Sequence, residues 1–120
     1  MKPVVLIAED DAFFRETIQL SLEEHGIEVK LAKNGEEAMA MIDEARPNLL
    51  LLDLLMPRKD GFAVLQHVKD KKYTFPIIIL SNLSDEMDDE RCKELGVKDY
   101  YIKSDMDEDE LWPKISAYLS

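Results

Sequence analysis

Residues 48–62 read NLLLLDLLMPRKDGF, a stretch in which a single acid, Asp53, interrupts six leucines. Four consecutive leucines, Leu49 to Leu52, make a run of strand length that is apolar on both faces, as in a strand covered from both sides. An ionised carboxylate buried without a partner is costly enough that it takes up a proton instead. Asp53 therefore needs either an exit to solvent or a cation, and what surrounds this strand decides which.

Working outward, apolar runs alternate with segments of helical period. The runs are 3–8 (PVVLIA), 27–32 (IEVKLA), 48–53 (NLLLLD), 76–80 (PIIIL) and 99–103 (DYYIK). Between and after them lie helical patterns over 12–25, 36–45, 61–70, 85–95 and 108–119. Five strand-helix units of this kind predict a three-layer α/β domain, a five-stranded parallel sheet with helices on both faces, occupying 1–120 as one unit. In the second run Ile27, Val29 and Leu31 alternate with Glu28 and Lys30, the pattern of an edge strand, so strands one, three and four form the centre.

Local signals agree with these boundaries. Asn34 with Glu37 is a capping pair, Asp11 and Asp60 are N-cap candidates, and Gly26 and Gly96 stand where left-handed helix exits are expected. Phe14, Ile18 and Leu22 form one apolar stripe, with Glu16 and Glu23 pointing away. Pro113 interrupts the last helical pattern. The expectation is that it marks the true helix start, with 105–111 as an irregular turn.

Composition narrows the class. The chain has 120 residues, 46% hydrophobic and 34% charged, enough for one core without staples. Fifteen basic against 26 acidic residues leave a net charge of −11, which opposes phosphate backbones and anionic lipid, so direct nucleic-acid or membrane binding is not expected. Cys92 is the sole cysteine and cannot form an internal disulfide. The apolar run after Met1 is too short for a signal core or a span, and a cytoplasmic protein is expected. His25, His67, Met39, Met41, Met87, Cys92, Tyr73 and Phe75 read as structural residues.

In an open parallel α/β sheet, ligands sit beyond the carboxyl ends of the strands. The residues ending the runs are Glu9, Asp10 and Asp11 after the first, Asp53 after the third, Ser81 after the fourth and Lys103 after the fifth. Clustered carboxylates repel one another unless a cation joins them. A hard, oxygen-seeking ion such as Mg2+ suits such a site, with Ser81 and Lys103 available to hold the oxygens of an anion.

These stations, AEDD after the first strand, DLLMPRKDG after the third, LSNLS after the fourth and GVKDYYIKS around the fifth, resemble the receiver domain of the response-regulator family over essentially the whole chain. The resemblance implies a doubly wound, flavodoxin-like sheet of order 2-1-3-4-5. It implies Asp53 as phosphoacceptor, Glu9, Asp10 and the backbone carbonyl of Leu55 with Asp53 as Mg2+ ligands, Ser81 and Lys103 as phosphoryl contacts, and Ser81 and Tyr100 as the switch pair. The expected function is a receiver of a two-component phosphorelay. Its phosphodonor is a histidine kinase or histidine phosphotransfer protein. A docking face on helix 4, strand 5 and helix 5 would be read by a downstream target or output domain, with the receiver a monomer or a phosphorylation-dependent dimer. Such a protein is no enzyme in the ordinary sense, since it catalyses only its own phosphotransfer and dephosphorylation. It is either free-standing or a fragment of a larger regulator.

Departures from the family pattern carry their own expectations. Lys103 precedes Ser104 where family members usually have a proline with a cis bond, a geometry that costs about 2.5–4 kcal/mol before other residues. Asn82 replaces a small residue and narrows access to the phosphoryl group. Leu55 and Leu83 offer no polar group to orient an attacking water, which predicts slow dephosphorylation. A phosphatase of the haloacid dehalogenase type needs an acid at position 55, and a flavin carrier needs a first loop without the acids of AEDDAFF. The remaining rival is a receiver-like interaction module that is not phosphorylated.

Overall fold

The computed structural model describes residues 2–56, 58, 60–81, 86–103 and 108–119, the side chains of 86–89 and 108–109 excepted. Its elements are β1 (Val4–Ala8), α1 (Ala12–Glu24), β2 (Glu28–Ala32), α2 (Gly35–Glu44), β3 (Leu49–Leu52), α3 (Gly61–Asp70), β4 (Ile77–Ser81), α4 (Glu86–Glu94), β5 (Asp99–Ile102) and α5 (Glu108–Ser116). The strands form one sheet in the order β2-β1-β3-β4-β5, every pair parallel.

Successive side chains on a strand point to opposite faces, so each central strand feeds two cores. Leu6, Leu50, Leu52, Ile77 and Ile79 pack with Ala38 and Ile42 of α2, Val64, Leu65 and Val68 of α3, and Cys92 of α4. Val5, Ile7, Leu49, Leu51, Ile78 and Leu80 pack with Ile18 and Leu22 of α1 and Leu111 and Ile115 of α5. All four leucines of β3 are buried. Each such side chain contributes about 1.5–3 kcal/mol, and this holds the strand, and whatever ends it, in the middle of the sheet. The alternation over 28–32 has its expected result, with β2 at the edge and Glu28 exposed.

The caps fall where their residue types direct. Asp11 accepts from the Phe14 N–H, Asp60 from Ala63 and Asn34 from Glu37, while Glu37 in turn accepts from Lys33. Gly26 and Gly96 have φ of 76° and 90°, the left-handed exits of α1 and α4. His67 pairs with Asp43, which also accepts from Tyr73, and His25 stacks on Trp112 at 4.1 Å, so both histidines join helices or turns. Tyr73 and Phe75 flank the α2-α3-α4 core, as do Met39 and Met41; the Met87 side chain lies outside the described set.

Pro113 corrects the sequence reading. It lies inside α5, which begins at Glu108, so an irregular turn does not extend to Leu111; 105–107 lie outside the described residues. The helix tolerates losing one backbone donor because Leu111 and Ile115, one turn apart, bury into the α1-α5 core, and Pro113 itself is exposed.

Candidate functional site

The parallel ladder sets the site's geometry by continuing one residue beyond the strands. The Asp53 N–H donates to the Ala8 carbonyl and the Glu9 N–H to the Ala32 carbonyl, both at 3.0 Å. Each carboxylate is thereby carried on backbone hydrogen bonds at the carboxyl edge of the sheet. One oxygen each from Glu9, Asp10 and Asp53 lies within 4.8 Å of the others. Asp10 is exposed, whereas Glu9 is 2% and Asp53 5% exposed.

Solvent is thus nearly closed to Asp53, and a cation stands in the site. Lys103, just past β5, reaches back so that its ammonium donates to Asp53 Oδ2 at 3.2 Å and pairs with Glu9 Oε2. The Leu55 N–H donates to the other Asp53 oxygen at 3.2 Å. Glu9 Oε1 accepts from the Asp11 N–H at 3.0 Å. Burial raises the Glu9 pKa from 4.5 to about 7; the Asp53 charge adds to this, while Lys103 and the Asp11 N–H oppose it. Burial acts against the Lys103 ammonium, but the hydrogen bond to Glu9 and the Asp53 charge outweigh it and raise its pKa.

The loop after β3 must fold tightly over the strand end, and Gly61 permits it. Its N–H donates to the Leu54 carbonyl at 3.0 Å. A Cβ at this position would lie 2.6 Å from the Asp53 carbonyl oxygen and 2.7 Å from Leu54 Cα, both backbone atoms that cannot move aside cheaply. The Arg58 carbonyl accepts from the Glu36 N–H and ties the same loop to α2.

Of the site residues expected from sequence, Glu9, Asp10, Asp53, Leu55, Ser81 and Lys103 lie at or beside this edge. Ser81 ends β4, fully buried, and Leu55, whose N–H reaches Asp53, is 57% exposed. Tyr100 sits half-buried in β5 opposite Ile79, on the α2-α3-α4 side. Asn82, Leu83 and the Lys103–Ser104 bond lie outside the described residues. Two residues were assigned no role at the site by sequence. Arg15 is buried and donates from its guanidinium to the Glu9 carbonyl at 2.8 Å. Phe14 places its ring centre 4.6 Å from the Lys103 nitrogen. The available signal for Arg15 was an arginine on a stripe with Ile18 and Leu22, where an apolar residue is the norm.

Together these features define a flavodoxin-like α/β domain with an acidic site at the carboxyl edge of its sheet. A family model, the response regulator receiver domain, matches residues 5–116. The probable transcriptional regulator ycf27 of Porphyridium aerugineum is 39% identical over 102 residues, 85% of this chain and 42% of that protein. Response regulator RR06 of Streptococcus pneumoniae is 37% identical over 99 residues, 82% of this chain and 45% of that one. The receiver domain of the Francisella response regulator 1452 superposes with a TM-score of 0.89 at 30% identity, covering 98% of this chain and 96% of that one. The chain belongs to the response regulator receiver domain family of two-component signalling. It spans less than half the length of these curated relatives.

Proposed function

We propose that this receiver accepts a phosphoryl group on Asp53 in a Mg2+-dependent reaction and passes the change to a protein partner. The observation that carries the reading is the trio of Glu9, Asp10 and Asp53 carboxylates around one point, with Lys103 already paired to two of them. Three hard oxygen donors on fixed backbone fit a small divalent ion, and few protein ligands leave room for water and phosphate. Glu9, Asp10, Asp53 and the Leu55 carbonyl would hold it. When bound, Mg2+ supplies positive charge against the phosphoryl oxygens.

The chain's own residues do the rest by position. An Asp53 oxygen attacks phosphorus in line; the new O–P bond forms as the bond to the donor's imidazole nitrogen or acyl oxygen breaks, and the leaving group keeps the electron pair. Lys103 shifts a hydrogen bond onto the phosphoryl oxygens and neutralises charge there. Ser81 contacts the phosphoryl group and, with Tyr100, transmits the change to the face of α4, β5 and α5. The protein acts on itself only, in the cytoplasm. It receives from a histidine kinase or histidine phosphotransfer protein, and is read by a target or output domain. The BeF3-activated receiver domain of Klebsiella pneumoniae RstA is similar to this chain, with a TM-score of 0.88 at 27% identity, and supports a site of this chemistry.

The test is labelling by acetyl phosphate with and without Mg2+, followed by intact mass. A metal-dependent gain of one phosphoryl group, lost in Asp53→Asn, is expected. Equal labelling of Asp53→Asn refutes Asp53 as the acceptor, and no labelling of the wild type leaves only the interaction-module reading.

A further inference from the structure

We propose that Phe14 is a positioning residue for phosphoryl transfer, its ring face seating the Lys103 ammonium that meets the phosphoryl oxygens. This rests on Asp53 being the phosphoacceptor. The Lys103 side chain is 11% exposed and its nitrogen lies 4.6 Å from the centre of the Phe14 ring. An ammonium has three N–H donors, and among the described residues Glu9 and Asp53 are the acceptors that two of them meet. An aromatic face attracts the cation through its quadrupole without competing as a lone-pair acceptor. Phe14 therefore holds the charge in place without itself taking up an N–H donor.

The sequence delivers this contact through helix register. Asp11 caps α1 by accepting from the Phe14 N–H at 3.2 Å, so the ring is set on the first turn by the loop that carries Glu9 and Asp10. Its neighbour Phe13 points away and is 78% exposed. As acetyl phosphate reacts, the Asp53 O–P bond forms, the P–O bond to acetate breaks, and acetate departs with the electron pair. Lys103 must turn from Glu9 toward the phosphoryl oxygens without leaving the site. A flexible four-carbon stem has many other places to go, and the ring restricts them.

The experiment measures phosphorylation of the full chain by acetyl phosphate with Mg2+ in the wild type, Phe14→Leu, Phe14→Tyr and the exposed control Phe13→Leu. Phe14→Leu is expected to lower the limiting phosphorylation rate constant about tenfold with little change in the acetyl phosphate concentration that gives half of it, and Phe14→Tyr is expected to stay within about twofold of wild type. Phe13→Leu is expected to be unchanged. On a Lys103→Met background Phe14→Leu is expected to have no further effect, because the ring acts through the ammonium. NMR supplies a readout independent of turnover: the Lys103 ε-methylene protons should be shifted upfield by the ring and lose that shift in Phe14→Leu. Full activity in Phe14→Leu, an additive loss on the Lys103→Met background, or an unshifted methylene overturns the proposal while Asp53 labelling stands. Absence of label in the wild type sinks the underlying reading first.

Discussion

Glu9 makes the sharpest prediction, because its pKa is raised to about 7, chiefly by burial. To serve as a metal ligand it must be ionised, so Mg2+ binding should expel its proton wherever the free site holds one. With a pKa near 7, the carboxyl is about nine-tenths protonated at pH 6 and about one-tenth at pH 8. Affinity for Mg2+ should therefore fall about tenfold from pH 8 to pH 6, with close to one proton released per ion at pH 6 and few at pH 8. Titration calorimetry in two buffers of different ionisation enthalpy counts that proton directly. In Glu9→Gln the release should vanish, leaving a weaker affinity with a flatter pH profile. The linkage has a second face. An acid whose folded pKa lies above its unfolded value adds stability that is fully present below about pH 4.5 and lost as pH rises through about 7. In the absence of metal, Glu9→Gln should thus stabilise the fold at pH 8 by at most about 3 kcal/mol and do nothing comparable at pH 4. Proton release of zero at pH 6 together with a pH-independent Mg2+ affinity would refute the burial argument.

Four further outcomes follow from the same geometry. Gly61→Ala places a methyl against the Asp53 and Leu54 backbone, and urea denaturation should show a loss of about 1–3 kcal/mol, with slower Asp53 labelling as the loop shifts. Arg15→Met removes the buried guanidinium from the Glu9 carbonyl and should cost about 1.5–3 kcal/mol in the same assay, whereas an unchanged midpoint means that the contact carries no stability. Pro113→Ala restores a donor inside α5 and should raise the melting temperature, by an amount equivalent to about 1–3 kcal/mol; a decrease would show that the proline is seated by packing. Leu55→Asn puts a polar group beside Asp53, where Leu55 is largely exposed, and should shorten the acyl-phosphate lifetime; a longer lifetime contradicts the expectation that the leucine slows water attack.

Much of the fold was legible because its signals are local. The uniform apolar runs at 49–52 and 77–80 can be satisfied only with cover on both faces, and the alternation at 28–32 only at an edge. Asp11, Asn34 and Asp60 cap helices because short side chains with an acceptor oxygen do so wherever the following residues are helical. Pro113 misled because a proline's local cost was weighed without the burial of Leu111 and Ile115, a term that exists only once α5 meets the sheet.

The same division runs through the site. From the amino-acid sequence alone came the parallel sheet, the position of Asp53 at the end of its central strand and the requirement for a neighbouring cation, since periodicity and the cost of a buried charge are properties of short segments. Tertiary structure alone decided that the cation on the chain is Lys103, fifty residues away, that Phe14 and Arg15 join the site, and that burial makes Glu9 a weak acid. Those facts depend on which strand ends become neighbours and how little water remains between them, quantities set by the assembled sheet and not by any one strand.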